Sequence, residues 1–258
     1  MTASGRPVAL VTGARRGIGR AIALALARTG HDVAITDMVD DGATEETLEA
    51  IRAAGARAVA TVFDLADLAA HAAALDFVET ALGPVDVLVN NAGRGSVVRG
   101  DLLDLRPENF DTVLGVNLRG TVFLSNAVVR RMLATAGGRQ ARAVITVTSV
   151  SAELASHERA DYCVSKAGLS MYVKALALRL AGSGIAVHEI RPGIIRTDMT
   201  AGVADKYDGL IDGGLVPDRR WGEPEDVAAA VAALASGAFA FARGQVITVD
   251  GGLSVPRL

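Results

Sequence analysis

The sequence predicts an α/β fold: a single-domain, doubly wound parallel sheet of about seven strands with helices on both faces. Three observations predict it. Short runs rich in valine and isoleucine alternate strictly with helical stretches. The runs are near-continuously apolar, as strands become when helices cover both faces of a sheet. No linker, repeat or low-complexity segment divides residues 1–258.

The first strand is "PVALVTG" (7–13), and the glycines after it lead into a helix over about 17–29. A second strand, "HDVAITD" (31–37), precedes a helix over about 44–54, and a third, "ARAVATVFD" (56–64), precedes one over about 67–82. The fourth is "VDVLVNNAG" (85–93), after which Pro107 and Glu108 suit the first turn of a helix over 107–135. "ARAVITVTS" (141–149) and a helix over 160–181 follow. "IAVHEIRPG" (185–193) is the sixth strand, Pro224 and Glu225 open a helix over 224–236, and "GQVITVDGG" (244–252) closes the sheet.

Half the residues are hydrophobic and 21% are charged, so the chain can bury a substantial core. The net charge is -3 with no basic block, which argues against nucleic acid and anionic membrane surfaces as partners. The apolar stretch 227–242 is shorter than the ~20 residues a membrane span needs and is read as a buried helix with its exit loop. The N-terminal apolar stretch is too short for a secretory signal, so a soluble, cytoplasmic protein is expected. The single cysteine, Cys163, excludes an intrachain disulfide and is read as a packed helix residue. His31, His71, His157 and His188 lack metal-ligand spacing, so no metal is expected.

In a doubly wound sheet the ligand crevice lies at the carboxyl ends of the strands. Gly13, Asp37, Asp64, Asn90, Asn91, Gly93, Ser149, Pro192 and Gly193 all fall there. "TGARRGIGR" places Gly13, Gly17 and Gly19 at a strand-to-helix turn, where backbone amides can approach a phosphate. Asp37 stands eighteen residues after Gly19, positioned to accept hydrogen bonds from an adenosine ribose. Its carboxylate would repel a 2′-phosphate, which points to NAD. Arg15 and Arg16 in the same loop would serve a 2′-phosphate and keep NADP as the alternative.

"SVSAELASHERADYCVSK" (149–166) carries a second signal. Tyr162 and Lys166 are four apart on a helix, on one face, and Ser149 ends the strand before them. A phenol with a pKa near ~10 is a poor base at neutral pH. An ammonium beside it, with a cationic nicotinamide ring nearby, would favour the phenolate and let it exchange a proton with an alcohol or carbonyl. Ser149 would orient the substrate oxygen.

These motifs together resemble the short-chain dehydrogenase/reductase family along essentially the whole chain. "TGARRGIG" looks like its cofactor loop, "NNAG" (90–93) its fourth-strand motif, and "VNLRG" (116–120) carries its helix asparagine. The Ser149, Tyr162, Lys166 spacing looks like its catalytic set and "RPGIIRTDM" (191–199) its nicotinamide-side loop. The resemblance implies a Rossmann-type sheet and an NAD(P)-dependent oxidoreductase acting on a CH–OH group. It implies Ser149, Tyr162, Lys166 and Asn117 as the catalytic residues, with Asn117 holding a water behind the lysine. Lys166, and Tyr162 with it, would also contact the cofactor. Gly13, Arg15, Arg16, Gly17, Ile18 and Gly19 would line the phosphates, Asp37 the ribose, and Asp64 and Leu65 the adenine. Asn91, Ala92 and Gly93 would flank the adenosine ribose, and Pro192, Gly193, Ile195 and Thr197 the nicotinamide. Asn90 either joins that site or only braces the sheet.

Within the family the chain is most like 3-oxoacyl-[acyl-carrier-protein] reductases and sugar or polyol dehydrogenases. The places where the former put basic residues to dock an acidic carrier read "ATAGG" (134–138) and "AGSG" (181–184). Arg94, Ser151, Glu153 and His157 are the expected substrate residues. Their polarity favours a sugar- or polyol-like substrate, with 3-oxoacyl thioester reduction as the alternative. A dinucleotide-binding sensor without turnover is the remote alternative, since such members lose one of Ser, Tyr or Lys. Residues 200–221 are expected to form a substrate lid. Leu169, Tyr172, Val173, Leu176 and Leu180 extend a broad apolar surface that suggests a subunit contact. The resemblance implies a homotetramer, with a dimer second.

Overall fold

The computed structural model describes residues 5–135 and 141–257. Seven strands form one parallel sheet: β1 (Val8–Thr12), β2 (Asp32–Asp37), β3 (Ala58–Val62), β4 (Val85–Asn90), β5 (Arg142–Val147), β6 (Ile185–Pro192) and β7 (Val246–Val249). Their order is β3-β2-β1-β4-β5-β6-β7, so the winding direction reverses between β1 and β4. A crevice opens where two crossovers leave a sheet in opposite directions, here at the carboxyl ends of β1 and β4.

The continuous apolar runs have a direct cause. Ala9 and Val11 of β1 face one core, with helices α1 (Gly17–Arg28) and α9 (Pro224–Ala235). Val8 and Leu10 face the other, with α3 (Ala70–Leu82), α5 (Thr121–Ala134) and α6 (Ala160–Arg179). Both strand faces are therefore buried, and alternation has no reason to appear. Asp41 caps α2 (Gly42–Ala53) by accepting from the Ala43 amide at 3.0 Å. Prolines open α4 (Pro107–Leu114) and α9, as their positions in the sequence suggest.

Two features differ from the sequence reading, and another adds detail to it. The predicted 107–135 helix is α4 and α5 joined through a π-helical turn, Gly115–Gly120. Gly120 lies against the Leu65 carbonyl, where an added Cβ would come within 2.4 Å of the oxygen. Pro107–Ala134 is long and apolar enough to cross a membrane by length and composition, but Leu124, Val128, Val129 and Met132 pack it onto the sheet. Next, the 200–221 region, expected as a lid, carries regular structure. It holds two short helices, α7 (Asp198–Ala201), which starts just before it, and α8 (Ala204–Asp212). Lastly, Leu169, Val173, Leu176 and Leu180 are core residues and Tyr172 is half-buried against that core, so they do not form the subunit surface. The exposed large apolar residues of α6 are Val164, Met171 and Leu178. Part of "ATAGG" (134–138), residues 136–138, lies outside the described residues.

Candidate active site

The glycine turn is built by close approach. Gly13 has φ +63°, and a Cβ there would sit 2.7 Å from the Ala92 Cα. A Cβ on Gly19 would sit 2.2 Å from the Gly13 carbonyl oxygen. Only glycine lets the start of α1 press against the ends of β1 and β4. Asn91 locks this arrangement: its Nδ2 donates to the carbonyls of Thr12 at 3.0 Å and Gly13 at 2.9 Å. The Thr12 hydroxyl in turn accepts from the amides of Asn91 and Ala92. The N-cap of α1, Arg16, supplies no side-chain cap, so the amides of the first turn around Gly17 and Ile18 remain for an outside anion. That cradle fits a dinucleotide diphosphate.

Asp37 ends β2 and accepts from the Met38 amide through Oδ1 at 2.9 Å, which leaves acceptor capacity free. Arg15 lies beside it, with Nε 3.7 Å from Asp37, and its guanidinium is held by Asp41. Arg16 instead pairs with Asp198 at the start of α7, 2.8 Å away. Asp64 is exposed, with Oδ1 accepting from the Ala66 amide at 2.8 Å, while Leu65 is buried beside Gly120. Pro192 ends β6, and the Gly193 amide donates to Val249 at 2.9 Å. Ile195 is buried, and Thr197 and Thr200 form a capping box at α7.

The structure brings Ser149, Tyr162 and Lys166 together at the end of β5. Lys166 is 4% exposed, and its Nζ donates to the Val147 carbonyl at 3.1 Å and stands 5.7 Å from the Tyr162 ring centre. Burial pulls its ammonium down to about 8, with Glu189 opposing that shift. Tyr162 is half-buried beside it. Burial pushes its phenol up, outweighing a hydrogen bond from Ser149 and the charge of Arg159, which both lower it. Desolvation of the phenolate exceeds what these neighbours return. Asn117 is fully buried in the π-turn. Its Nδ2 donates to the Arg94 carbonyl at 2.9 Å and the Ser165 hydroxyl at 3.0 Å, and its Oδ1 accepts from the Arg94 amide at 2.8 Å. π-turns inside helices frequently mark functional sites. Asn90 braces the sheet through Ser125 and Thr146.

The expected substrate residues occupy different environments. Arg94 and His157 are exposed, and Ser151 is buried with its amide donating to Ser149 Oγ at 3.0 Å. Glu153 is paired with Arg191. A cavity of about 410 Å³ lies between residues 98–106 and 157–161, lined by His157 and Asp161 but not by Ser149 or Tyr162. Sequence reasoning missed Glu189 and Arg191, both buried on β6. The signal was present: two charges two residues apart inside "HEIRPG", a strand otherwise apolar enough for the interior.

A dinucleotide cradle beside a Ser–Tyr–Lys set, with Ser149 and Lys166 buried and Tyr162 half-buried, defines a nicotinamide-dependent oxidoreductase. Comparison with known proteins agrees. The family profile described as "Enoyl-(Acyl carrier protein) reductase" matches residues 13–254. D-threitol dehydrogenase of Mycolicibacterium smegmatis is 37% identical over 250 residues, 96% of this chain and 93% of that protein. The crystal structure of a 3-oxoacyl-[acyl-carrier protein] reductase from Brucella melitensis in complex with NAD superposes with a TM-score of 0.95 at 56% identity, covering 98% and 99% of the two chains. A gluconate 5-dehydrogenase from Burkholderia cenocepacia, in complex with NADP and tartrate, gives a TM-score of 0.88 at 32% identity, covering 99% of each chain. The chain belongs to the short-chain dehydrogenase/reductase family and is an NAD(P)-dependent oxidoreductase acting on alcohol or carbonyl groups.

Proposed function

We propose that the chain interconverts a polar, sugar- or polyol-like secondary alcohol and its ketone with NAD as the preferred cofactor. The observation that carries this reading is the convergence of Ser149, Tyr162 and Lys166 beside the glycine cradle and Asp37. The amides at Gly17 and Ile18 hold the diphosphate, Asp37 the adenosine ribose, and Ile195 and Thr197 the nicotinamide side. Asp64 and Leu65 face the adenine, and Asn91, Ala92 and Gly93 shape the adjoining wall. When bound, the nicotinamide supplies or accepts the hydride. Tyr162 carries the proton to or from the substrate oxygen, and Ser149 orients that oxygen. Lys166 contributes positive charge next to Tyr162, and Asn117 holds the polar path behind it.

Exposed Arg94 and His157 support a polar substrate. A second reading, reduction of a 3-oxoacyl thioester, is favoured by exposed Val97, Val98 and Leu154 on the same segments and by exposed Met199 on α7. The Brucella melitensis relative is named for that reaction and complexed with NAD, so NAD preference does not separate the two readings.

Residues 200–221 are proposed as the lid. Ile211, Val216 and Trp221 form their own small cluster, and the base is pinned by an Ile195–Gly222 bridge. Such a unit can shift without unpacking the sheet. Exposed Phe123 on α5 and Met171 and Leu178 on α6 support a homotetramer, with a dimer second. A cytoplasmic location accords with the composition. The test is NADH formation or consumption across a panel of sugars, polyols and 3-oxoacyl thioesters. Tyr162→Phe should remove turnover and keep NADH binding. A variant retaining more than a small fraction of the rate would refute the acid/base role of Tyr162.

A further inference from the structure

The active-site end of β5 makes three successive attachments. The Val147 carbonyl accepts from Lys166, the Thr148 hydroxyl donates to Glu189 Oε1 at 2.7 Å, and Ser149 serves Tyr162. Glu189 is fully buried, and it also accepts from Arg191 Nε at 2.6 Å and from the Ser170 hydroxyl at 2.9 Å. Arg191 Nη2 donates to the same Ser170 hydroxyl at 2.7 Å, and its Nη1 pairs with Glu153 in the turn after Ser149. Ser170 lies one helical turn beyond Lys166, on the same face of α6. The pair thus ties together the strand end carrying Ser149, the helix carrying Tyr162 and Lys166, and the strand leading to Gly193.

Stability does not account for it. Burying a carboxylate and a guanidinium costs several kcal/mol per ion before pairing, and apolar side chains often hold such a position equally well. The same face of β6 does use apolar residues, Ile185 and Val187, farther from the site. The charges appear only at the active-site end.

We propose that the buried Glu189–Arg191 pair is a positioning device for Tyr162 and Lys166, fixing the strand end beneath them and the balance of charge they experience. The inference rests on the acid/base reading of Tyr162. Glu189 acts through Lys166, whose lowered proton affinity it opposes. The other groups facing this region are Tyr162 and Asp161 on α6, Arg159 at its start and Glu153 in the Ser149 turn. The π-turn presents the neutral Asn117 amide beside Lys166, and Glu108 and Asp111 on α4 are exposed.

Removing the negative charge with near-retention of shape, Glu189→Gln, makes a proton easier to lose from the Tyr162–Lys166 pair. Removing the positive charge, Arg191→Gln, makes it harder. The pH profile of kcat for alcohol oxidation should therefore move in opposite directions. Its acid limb should fall by about half a pH unit or more in Glu189→Gln and rise by a similar amount in Arg191→Gln. Glu189→Asp keeps the charge, so its limb should stay in place while kcat falls. Two folded variants with limbs at the wild-type pH, or both displaced in the same direction, would overturn the proposal. If Glu189→Gln does not fold, Arg191→Gln decides alone: an upward shift supports the pair and an unmoved limb overturns it. Tyr162→Phe in the same assay separates the two ideas. Turnover by that variant defeats the acid/base reading, whereas its loss with unmoved limbs defeats only the pair.

Discussion

Cofactor preference should turn on the charge of Asp37, and Asp37→Asn isolates that charge. Asparagine still accepts a hydrogen bond from a ribose hydroxyl, so NAD loses little. NADP would bring a 2′-phosphate against the carboxylate. Two unit charges about 4 Å apart interact by about 4 kcal/mol at an effective dielectric of ~20, and by about 1 kcal/mol in bulk water. The Asp37 side chain is 20% exposed and Arg15 Nε stands 3.7 Å away, so solvent and a counter-charge both reduce the repulsion. About 1–2 kcal/mol should remain, roughly a 5–30-fold effect on discrimination. Asp37→Asn should move the NAD/NADP ratio of kcat/KM toward NADP by that factor, measured with one alcohol in both proteins. Arg15, still anchored by Asp41, would then be freer to meet the phosphate, so adding Arg15→Met should cancel part of the gain. A wild type that prefers NADP, or an unchanged ratio in Asp37→Asn, would refute this account of the carboxylate.

Gly19→Ala should weaken NADH binding and lower the Tm, because its Cβ would land 2.2 Å from a backbone oxygen. Overpacking of this kind costs about 1–3 kcal/mol. Gly209→Ala, in the interior of α8 with no atom within 4 Å of the new Cβ, should instead be neutral or gain about 0.5–1 kcal/mol. Equal effects in thermal melts would show that the close approach at Gly19 is unimportant. Lys166 should titrate near pH 8, where free lysine would not, when its side-chain resonances are followed by NMR without cofactor. Its charge then assists Tyr162 below that pH and is lost above it; a titration near 10.5 would remove burial as the dominant influence. Light scattering at micromolar concentration should give a tetrameric mass, and a monomer would leave the exposed faces of α5 and α6 unexplained.

All seven strands were legible from the sequence, because each is a short apolar run between helical stretches; the five inner strands bury both faces, and the edge strands β3 and β7 are only partly covered. The glycine spacing and the Ser149, Tyr162 and Lys166 spacing were legible for a related reason: a turn and a helix fix local neighbours a set number of residues apart. Where information between distant segments was needed, the sequence was silent or misleading. α6 is apolar on much of its circumference, so periodicity could not tell interior Leu169 and Val173 from exposed Met171 and Leu178; the sheet chose. α7 and α8 are short and polar: α7 is held by its Thr197–Thr200 capping box, and α8 by packing of Ala204, Tyr207 and Ile211 with Trp221 and its neighbours. The proton affinity of Tyr162 depends on how much water its neighbours exclude, and burial raises it against Ser149 and Arg159, a balance that no local spacing states. Glu189 and Arg191 were visible only as two charges in an apolar strand. Their partners Thr148 and Ser170 lie 41 and 19 residues from Glu189. Short-range order is written in backbone geometry and local spacing, whereas burial and charge pairing are properties of the assembled interior.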